Sequence, residues 1–496
     1  MAEVARDRTA LTRHQLSRPV KLALEDGLLG PEASFFDYGC GRGSDVRLLS
    51  DAGYRSAGWD PHHLPEAARL NADIVNLGYV VNVIEAQDER AAVLEDAWRL
   101  ARSILIVAAR TAGEDRDLAF REPMADGVRT SRNTFQKFYD QQELKGWIAA
   151  RLGAEPVAAG PGIFYVFRDA DAREAYRARK IRRRIAAPSV SLSERRCRDH
   201  PELVAALVAF FTERGRLPRS AELAEGGALE DAFGSIGRAF SAVRRTNPTV
   251  DWDGLVQFRR EDLALYLALS RFERGRRWSS LAPTVQDDVR ALFGTYAAGR
   301  READALLHEL GMPGAIDRAC AAATVGKLTP TALYVHRSAL DRLPLLLRAF
   351  EGCGRGYLGE VEGANVIKLY RHEPKLSYLS YPDFESEPHP ALAFSLNVDL
   401  RAFRLKTRRF VGQPNPPVLH RKECFVADDH PRRETFARLT GAEEAAGLLD
   451  KTDRIGLRHG WHAVLAEHGL SLKGHRLVRQ RLRQPRPARP AERSRG

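Results

Sequence analysis

The residues with the clearest chemical potential form a short glycine-rich stretch, Asp37-Tyr38-Gly39-Cys40-Gly41-Arg42-Gly43. It follows the apolar run Ser34-Phe35-Phe36 and opens the helix-like segment Asp45-Val46-Arg47-Leu48-Leu49. Glycines let a backbone turn sharply and approach a ligand without Cβ clashes. A helix N-terminus then offers unpaired N–H groups. A dinucleotide fingerprint needs G-x-G-x-x-G or A, and Ser44 stands at its sixth position, so that match fails. A second acid, Asp60, closes the next apolar run in Gly58-Trp59-Asp60-Pro61, 21 residues after Gly39. A carboxylate at a strand tip can accept two adjacent ribose hydroxyls. The plainer alternative for Asp60 is a cap beside Pro61.

The pattern D-x-G-C-G-x-G resembles motif I of S-adenosylmethionine (SAM)-dependent methyltransferases. The resemblance implies that the loop packs against the methionine part of SAM and that Asp37 helps hold its amino group. The expected cofactor-binding set is Asp37, Gly39, Cys40, Gly41, Gly43, Asp60 and Asn76. Asn76 belongs here because Ala72-Asp73-Ile74-Val75-Asn76-Leu77-Gly78 reads as a strand, and open α/β sheets place ligands at the carboxyl ends of their strands. Only 12 residues separate Asp60 from Asp73, too few for a helix, a strand and a second helix. The strand that usually carries an adenine-contacting acid is therefore expected to be missing or remodelled, with Asn71 to Asp73 as substitutes.

Asn76 and Tyr79 are the catalytic candidates. Amino-methylating DNA enzymes carry [D/N/S]-P-P-[Y/F/W] after the corresponding strand, where the ring and prolines clamp a flipped base. In Asn76-Leu77-Gly78-Tyr79 the two ends match and both prolines are absent. The bland alternative is that Tyr79 merely packs. Asn415-Pro416-Pro417-Val418 has the prolines but no aromatic ring and no preceding strand, and reads as a loop. No Pro-Cys nucleophile for cytosine-5 chemistry follows the strand, and Cys40 reads as a small filler. Methyl transfer needs little from side chains beyond in-line positioning, so a general base is not readable.

Several segments in order, among them FDYGCGRGSDV, ADIVNLGYVVNVIE, FGSIGRAF, EGCGRGYLGEVEGANVIKL and NPPVLHRKE, resemble the family of methyltransferases associated with DNA phosphorothioation. The likeness runs over roughly residues 8–480. It implies a bacterial protein tied to systems that replace a backbone oxygen of DNA with sulfur in defence against foreign DNA. It does not define the methyl acceptor, which is expected to be DNA or a component of the modification system. The competing expectation is a non-catalytic SAM-binding or DNA-binding accessory protein.

Charge supplies the other clue. The 496 residues carry a formal net charge of +12, which favours a polyanionic partner. Six of the eight residues 177–184 are basic, and residues 473–496 hold nine Lys or Arg against one Glu. Arg182, Arg183, Arg184 and a disordered C-terminal tail are thus the expected DNA contacts, with proteins of the phosphorothioation system as further partners. A solvated linker helix is the alternative for 177–184. His336, His420, Arg421, Lys422 and Glu423 offer a polar or phosphate-contacting site, against the plainer reading of buried or capping histidines and a solvated charge run. The five cysteines make no C-x-x-C pair, and no His/Cys/Asp spacing suggests a metal site.

These residues need a scaffold. Alternation of apolar strands and amphipathic helices argues for a parallel sheet with crossovers. The expected architecture is α/β: a helical lead-in over 1–30 broken at Pro19, then a Rossmann-like class I SAM methyltransferase domain over 31–170. A basic linker helix over 171–199, a helical domain over 200–325 and a mixed α/β domain over 326–478 follow, with the tail at 479–496. No apolar run reaches the roughly 18–20 residues that span a bilayer and no secretory signal is seen, so a cytoplasmic location without membrane contact is expected.

Overall fold

The computed structural model describes residues 6–10, 12–112, 121–131, 133–272 and 277–479. The first domain contains α1 (Arg18–Glu25), β1 (Ser34–Tyr38), α2 (Ser44–Asp51), β2 (Arg55–Trp59) and β3 (Ala72–Gly78). It continues through α3 (Gln87–Leu100), β4 (Ala101–Ala108), the small ribbon β5 (Glu122–Met124), β6 (Gly127–Arg129) and β7 (Phe135–Gln136), and α4 (Gln141–Leu152). The hairpin of β8 (Val157–Gly160) and β9 (Ile163–Phe167) and then α5 (Ala170–Ile181) complete it.

The sheet order is β2-β1-β3-β4-β9-β8. β2, β1, β3 and β4 run parallel, whereas β9 pairs antiparallel with β4 and β8 antiparallel with β9. The expected parallel sheet with crossovers is extended at this edge by an antiparallel hairpin, because the short loop after β8 permits no crossover. β3 and β4 read as near-continuous apolar runs since both faces are covered. Phe36, Leu77, Leu94, Leu105 and Ile148 fill one face with α3 and α4, and Val20, Phe35, Leu49, Ile74 and Tyr176 fill the other with α1, α2 and α5. The domain is Rossmann-like.

Pro19 does not break the lead-in. It lies in the first turn of α1, where its missing N–H costs nothing. α1 belongs to the sheet's core rather than preceding it, and so does α5, whose Tyr176 ring meets Tyr165 and Phe167 edge-on or tilted.

The middle of the chain is helical: α6 (Arg195–Asp199), α7 (Pro201–Arg214), α8 (Gly226–Phe233), α9 (Ile236–Thr246), α10 (Trp252–Leu269), α11 (Pro283–Phe293), α12 (Tyr296–Gly311) and α13 (Ala315–Ala322). The last part holds an antiparallel sheet in the order β10 (Lys327–Leu328), β11 (Ala332–His336), β12 (Val366–Tyr370), β13 (Lys375–Ser380), β14 (Phe394–Asp399) and β15 (Arg404–Arg409). α14 (Leu345–Leu358) packs on it. α15 (Arg433–Ala445), α16 (Thr452–Ile455), α17 (Arg458–Glu467) and the hairpin β16 (Leu470–Leu472) and β17 (Leu477–Arg479) close the described chain.

Candidate functional site

The glycine loop joins β1 to α2 at the carboxyl end of the sheet. Gly39, Gly41 and Gly43 have φ of 79°, 54° and 68°, a left-handed run that L side chains disfavour. A Cβ on Gly39 would lie 2.5 Å from Val80 Cγ2, and one on Gly41 would lie 3.0 Å from Ala10 Cβ. The loop is thus closed from two sides, by the segment after β3 and by the N-terminal stretch. That stretch is tied across the site. Arg6 pairs with Glu85 and Glu89, Arg13 N donates to Ser44 Oγ at 3.0 Å, and Ser17 N donates to Asp45 Oδ1 at 2.7 Å. No sequence signal marked these contacts, because the partners come from α2, the β3–α3 loop and α3.

Asp37 is buried at the end of β1. Asn76 lies beside it in the parallel register of β1 with β3, and Asn76 Nδ2 donates to Asp37 Oδ1 at 2.8 Å. Burial, reinforced by the nearby Asp45 carboxylate, pushes the Asp37 carboxyl up to about 7. A buried acid with one hydrogen bond favours a cationic guest. Asn76 sits two residues inside β3 rather than at its tip, is 2% exposed and spends its amide on Asp37. Its Nδ2 is thus committed to Asp37, while its Oδ1 is buried without a hydrogen-bond partner among the described residues. Tyr79, in contrast, stands just past β3 with φ of 62°, and its N–H donates to Ala108 O at 2.8 Å. A non-glycine residue in that conformation carries strain of the kind found near functional loops.

Asp60 ends β2, 8% exposed. Its Oδ2 accepts the Gly41 amide, and its Oδ1 accepts the amides of His62 and His63. The carboxylate therefore shapes the glycine loop directly, a contact beyond the ribose-binding role or the cap beside Pro61 that the sequence suggests. Cys40 packs under the loop, and burial with the Asp37 and Asp60 carboxylates pushes its thiol up to about 12, which disfavours the thiolate.

Residues 61–71 form turns with no helix or strand, and β2 is the sheet's edge. The expected substitution by Asn71 to Asp73 is corrected. Asp73 accepts from Ser34 N and Oγ at 2.8 and 2.6 Å, at the opposite end of the strands from the glycine loop. A cavity of about 960 Å³ lies elsewhere, between β8, α5 and α14, and none of its lining residues comes from the loop, β2 or β3.

The basic cluster is also corrected. Arg182 pairs with Glu213 and Asp288, and Arg183 with Glu261 and Asp262. Asp262 also pairs with Arg259 and Arg348, so these charges knit α5, α10 and α14 together. Of the three arginines, Arg184 alone is exposed. The tail beyond residue 479 lies outside the described residues. The proposed polar site at His336 and 420–423 is dispersed. His336 caps the turn that follows it through Ser338 N and stacks on Phe384. Lys422 Nζ donates to Phe384 O and Glu387 O, and Arg421 pairs with Glu444. Glu423 accepts from Thr440. Buried groups such as Lys422 and His420 cannot reach a phosphate backbone. Asn415 accepts His459 N in a loop pinned beside α17.

No family model matches the chain, and comparison with curated proteins finds no match. Among solved structures, magnesium protoporphyrin IX methyltransferase from Synechocystis PCC 6803 with bound SAH is similar at 18% identity. It covers 33% of this chain and 93% of its own, with a TM-score of 0.24. The 1,6-didemethyltoxoflavin-N1-methyltransferase of Burkholderia thailandensis is similar at 15% identity over 33% of this chain and 79% of its own, with a TM-score of 0.22. A SAM-dependent methyltransferase from Aquifex aeolicus is similar at 19% over 31% of this chain and 89% of its own, also with a TM-score of 0.22.

Proposed function

We propose that the first domain binds SAM and transfers its methyl group. The observation that carries this is the buried, singly hydrogen-bonded Asp37 at the mouth of a loop whose three glycines are all left-handed. Asp37 would hold the ammonium of the cofactor's amino-acid part, with Asn76 keeping the carboxylate aimed. The amides of the loop and of the α2 N-terminus would face its carboxylate. Asp60, with three of its roughly four acceptor positions used, holds the loop and has room for a ribose hydroxyl. When bound, SAM supplies a sulfonium-activated methyl. The chain's own contribution is then to fix the acceptor in line and to exclude water, for which Arg6, Ala10, Arg13 and Ser17 meet the loop and its surroundings.

The acceptor proposed is DNA or a component of a DNA phosphorothioation system, on the strength of the segment resemblance and the +12 net charge. β15 supports a DNA contact. Its Arg404, Lys406 and Arg408 are exposed at alternate positions of an edge strand, spaced to track a phosphate backbone. The competing role of such cations is to block edge-to-edge pairing. The test is labelled SAM with phosphorothioate-bearing DNA, plain DNA and host lysate. Label transferred to any of these supports the enzyme. SAM binding without transfer to any acceptor supports the accessory-protein reading, and absence of SAM binding ends both.

A further inference from the structure

Three segments distant in sequence meet in the C-terminal domain. The loop between β13 and β14 brings His389, the loop between β15 and α15 brings His420, and α15 brings Glu443. His389 Nδ1 lies 3.1 Å from Leu419 O, so this nitrogen carries the proton and donates it. Its Nε2 lies 2.7 Å from Glu443 Oε1. His420 Nε2 donates to Ile455 O at 2.8 Å, which leaves Nδ1 as a bare lone pair. That Nδ1 and Glu443 Oε2 are both buried and, among the described residues, have no hydrogen-bond partner. His420 is 7% and Glu443 0% exposed.

One shared proton would satisfy His389 and Glu443. It would not account for the two further acceptor atoms. The ligand atoms of all three side chains lie within 4.8 Å of one another. Three acceptor groups thus converge, and beside them the buried Trp461 Nε1 donor is likewise without a partner among the described residues; a cation between the three acceptors would satisfy them all. The cation's class follows from the donors. Two imidazoles and a carboxylate suit zinc and its neighbours rather than calcium or magnesium, which take oxygen sets. Each imidazole donates its other N–H to a backbone carbonyl, the arrangement that fixes the tautomer of metal-bound histidines.

We propose that His389 Nε2, His420 Nδ1 and the Glu443 carboxylate bind one divalent transition-metal ion of the zinc type. Tetrahedral donors at about 2.0–2.1 Å from zinc sit roughly 3.3 Å apart, so side-chain shifts of about 1 Å complete the site, with a fourth position for water. Binding displaces the proton shared by His389 and Glu443, and one proton leaves per ion bound. The ion staples the two loops to α15, under Trp461, whose ring lies 4.5 and 4.7 Å from the two imidazoles.

The test uses tag-free full-length protein, stripped with chelator and titrated with zinc, then cobalt. The expected result is one ion per chain, a higher melting temperature with metal, and a visible cobalt spectrum of a low-coordinate N/O site. His420→Gln and Glu443→Gln should each weaken zinc binding by more than tenfold, while exposed His462→Gln should leave it unchanged. X-ray absorption of zinc-loaded wild type needs no variant and should show two imidazoles. No stoichiometric uptake by the wild type, a metal shell without imidazole, or equal affinity in folded His420→Gln would overturn the proposal.

Discussion

Asp60 Oδ2 accepts the main-chain amide of Gly41 at 2.9 Å, so the acid at the tip of β2 pins the glycine loop. Asp60→Ala leaves three amides without their acceptor and should weaken SAM binding by about 1–3 kcal/mol, the scale for a lost hydrogen bond to a charged group. Asp60→Asn keeps an acceptor for the His62 and His63 amides but turns an N–H toward Gly41 N. It should fall between wild type and Asp60→Ala. Calorimetry on the three proteins checks this, and an Asp60→Asn variant equal to wild type would show that the Gly41 contact does not shape the loop.

The left-handed loop itself gives a second prediction. Gly41→Val places a branched side chain at φ of 54°, 3.0 Å from Ala10, and should abolish SAM binding. Gly30→Ala, with nothing within 4 Å of the added carbon, should bind as wild type does. Retained affinity in a folded Gly41→Val protein would place the cofactor elsewhere.

Asp37 predicts a pH dependence. Its folded value near 7 lies above the ordinary carboxyl value, so the apo protein binds this proton more tightly than the unfolded chain does. The stability contributed is fully present below about 4 and is lost as pH rises through about 7. Ligand binding has the opposite sign, because an ammonium needs the ionised carboxylate. Affinity for S-adenosylhomocysteine should fall about tenfold per pH unit below 7 and level off above it. Methylthioadenosine lacks the ammonium and should show no such slope. A slope shared by both compounds would assign the titration to another group.

The sequence made the glycine loop and its two acids legible because glycine spacing encodes backbone geometry locally. The shortened link between Asp60 and Asp73 was legible for the same reason, as chain length alone leaves no room for another strand. The pairing of Asn76 with Asp37 was not legible because it is set by the parallel register of β1 with β3, which periodicity does not encode. Asp73 was misplaced because a strand's residues do not announce which end of the sheet they reach. Arg182 and Arg183 looked like a nucleic-acid patch because Asp262 and Asp288, the acids that neutralise them, come from helices much later in the chain. His389 and Glu443 escaped notice beside His420 on the same ground.

That neutralisation decides the last prediction, which concerns DNA. Arg183 is buried against Asp262, and removing one partner of a buried pair costs about 3–5 kcal/mol. Arg183→Gln should therefore lower the melting temperature and leave the salt dependence of DNA binding in the surviving folded fraction unchanged. The exposed face of β15 should behave in the opposite way. Each phosphate contact contributes a slope of about −0.9 to log K against log salt. Converting Arg404, Lys406 and Arg408 to Gln should flatten that slope by up to roughly 2.7 and weaken all duplex sequences alike. Stability should change little, since exposed charges contribute little to folding. Salt titrations of a fluorescent duplex, run beside thermal melts, separate the two classes. Equal slopes for wild type and the β15 variant would assign those cations to edge protection rather than to DNA.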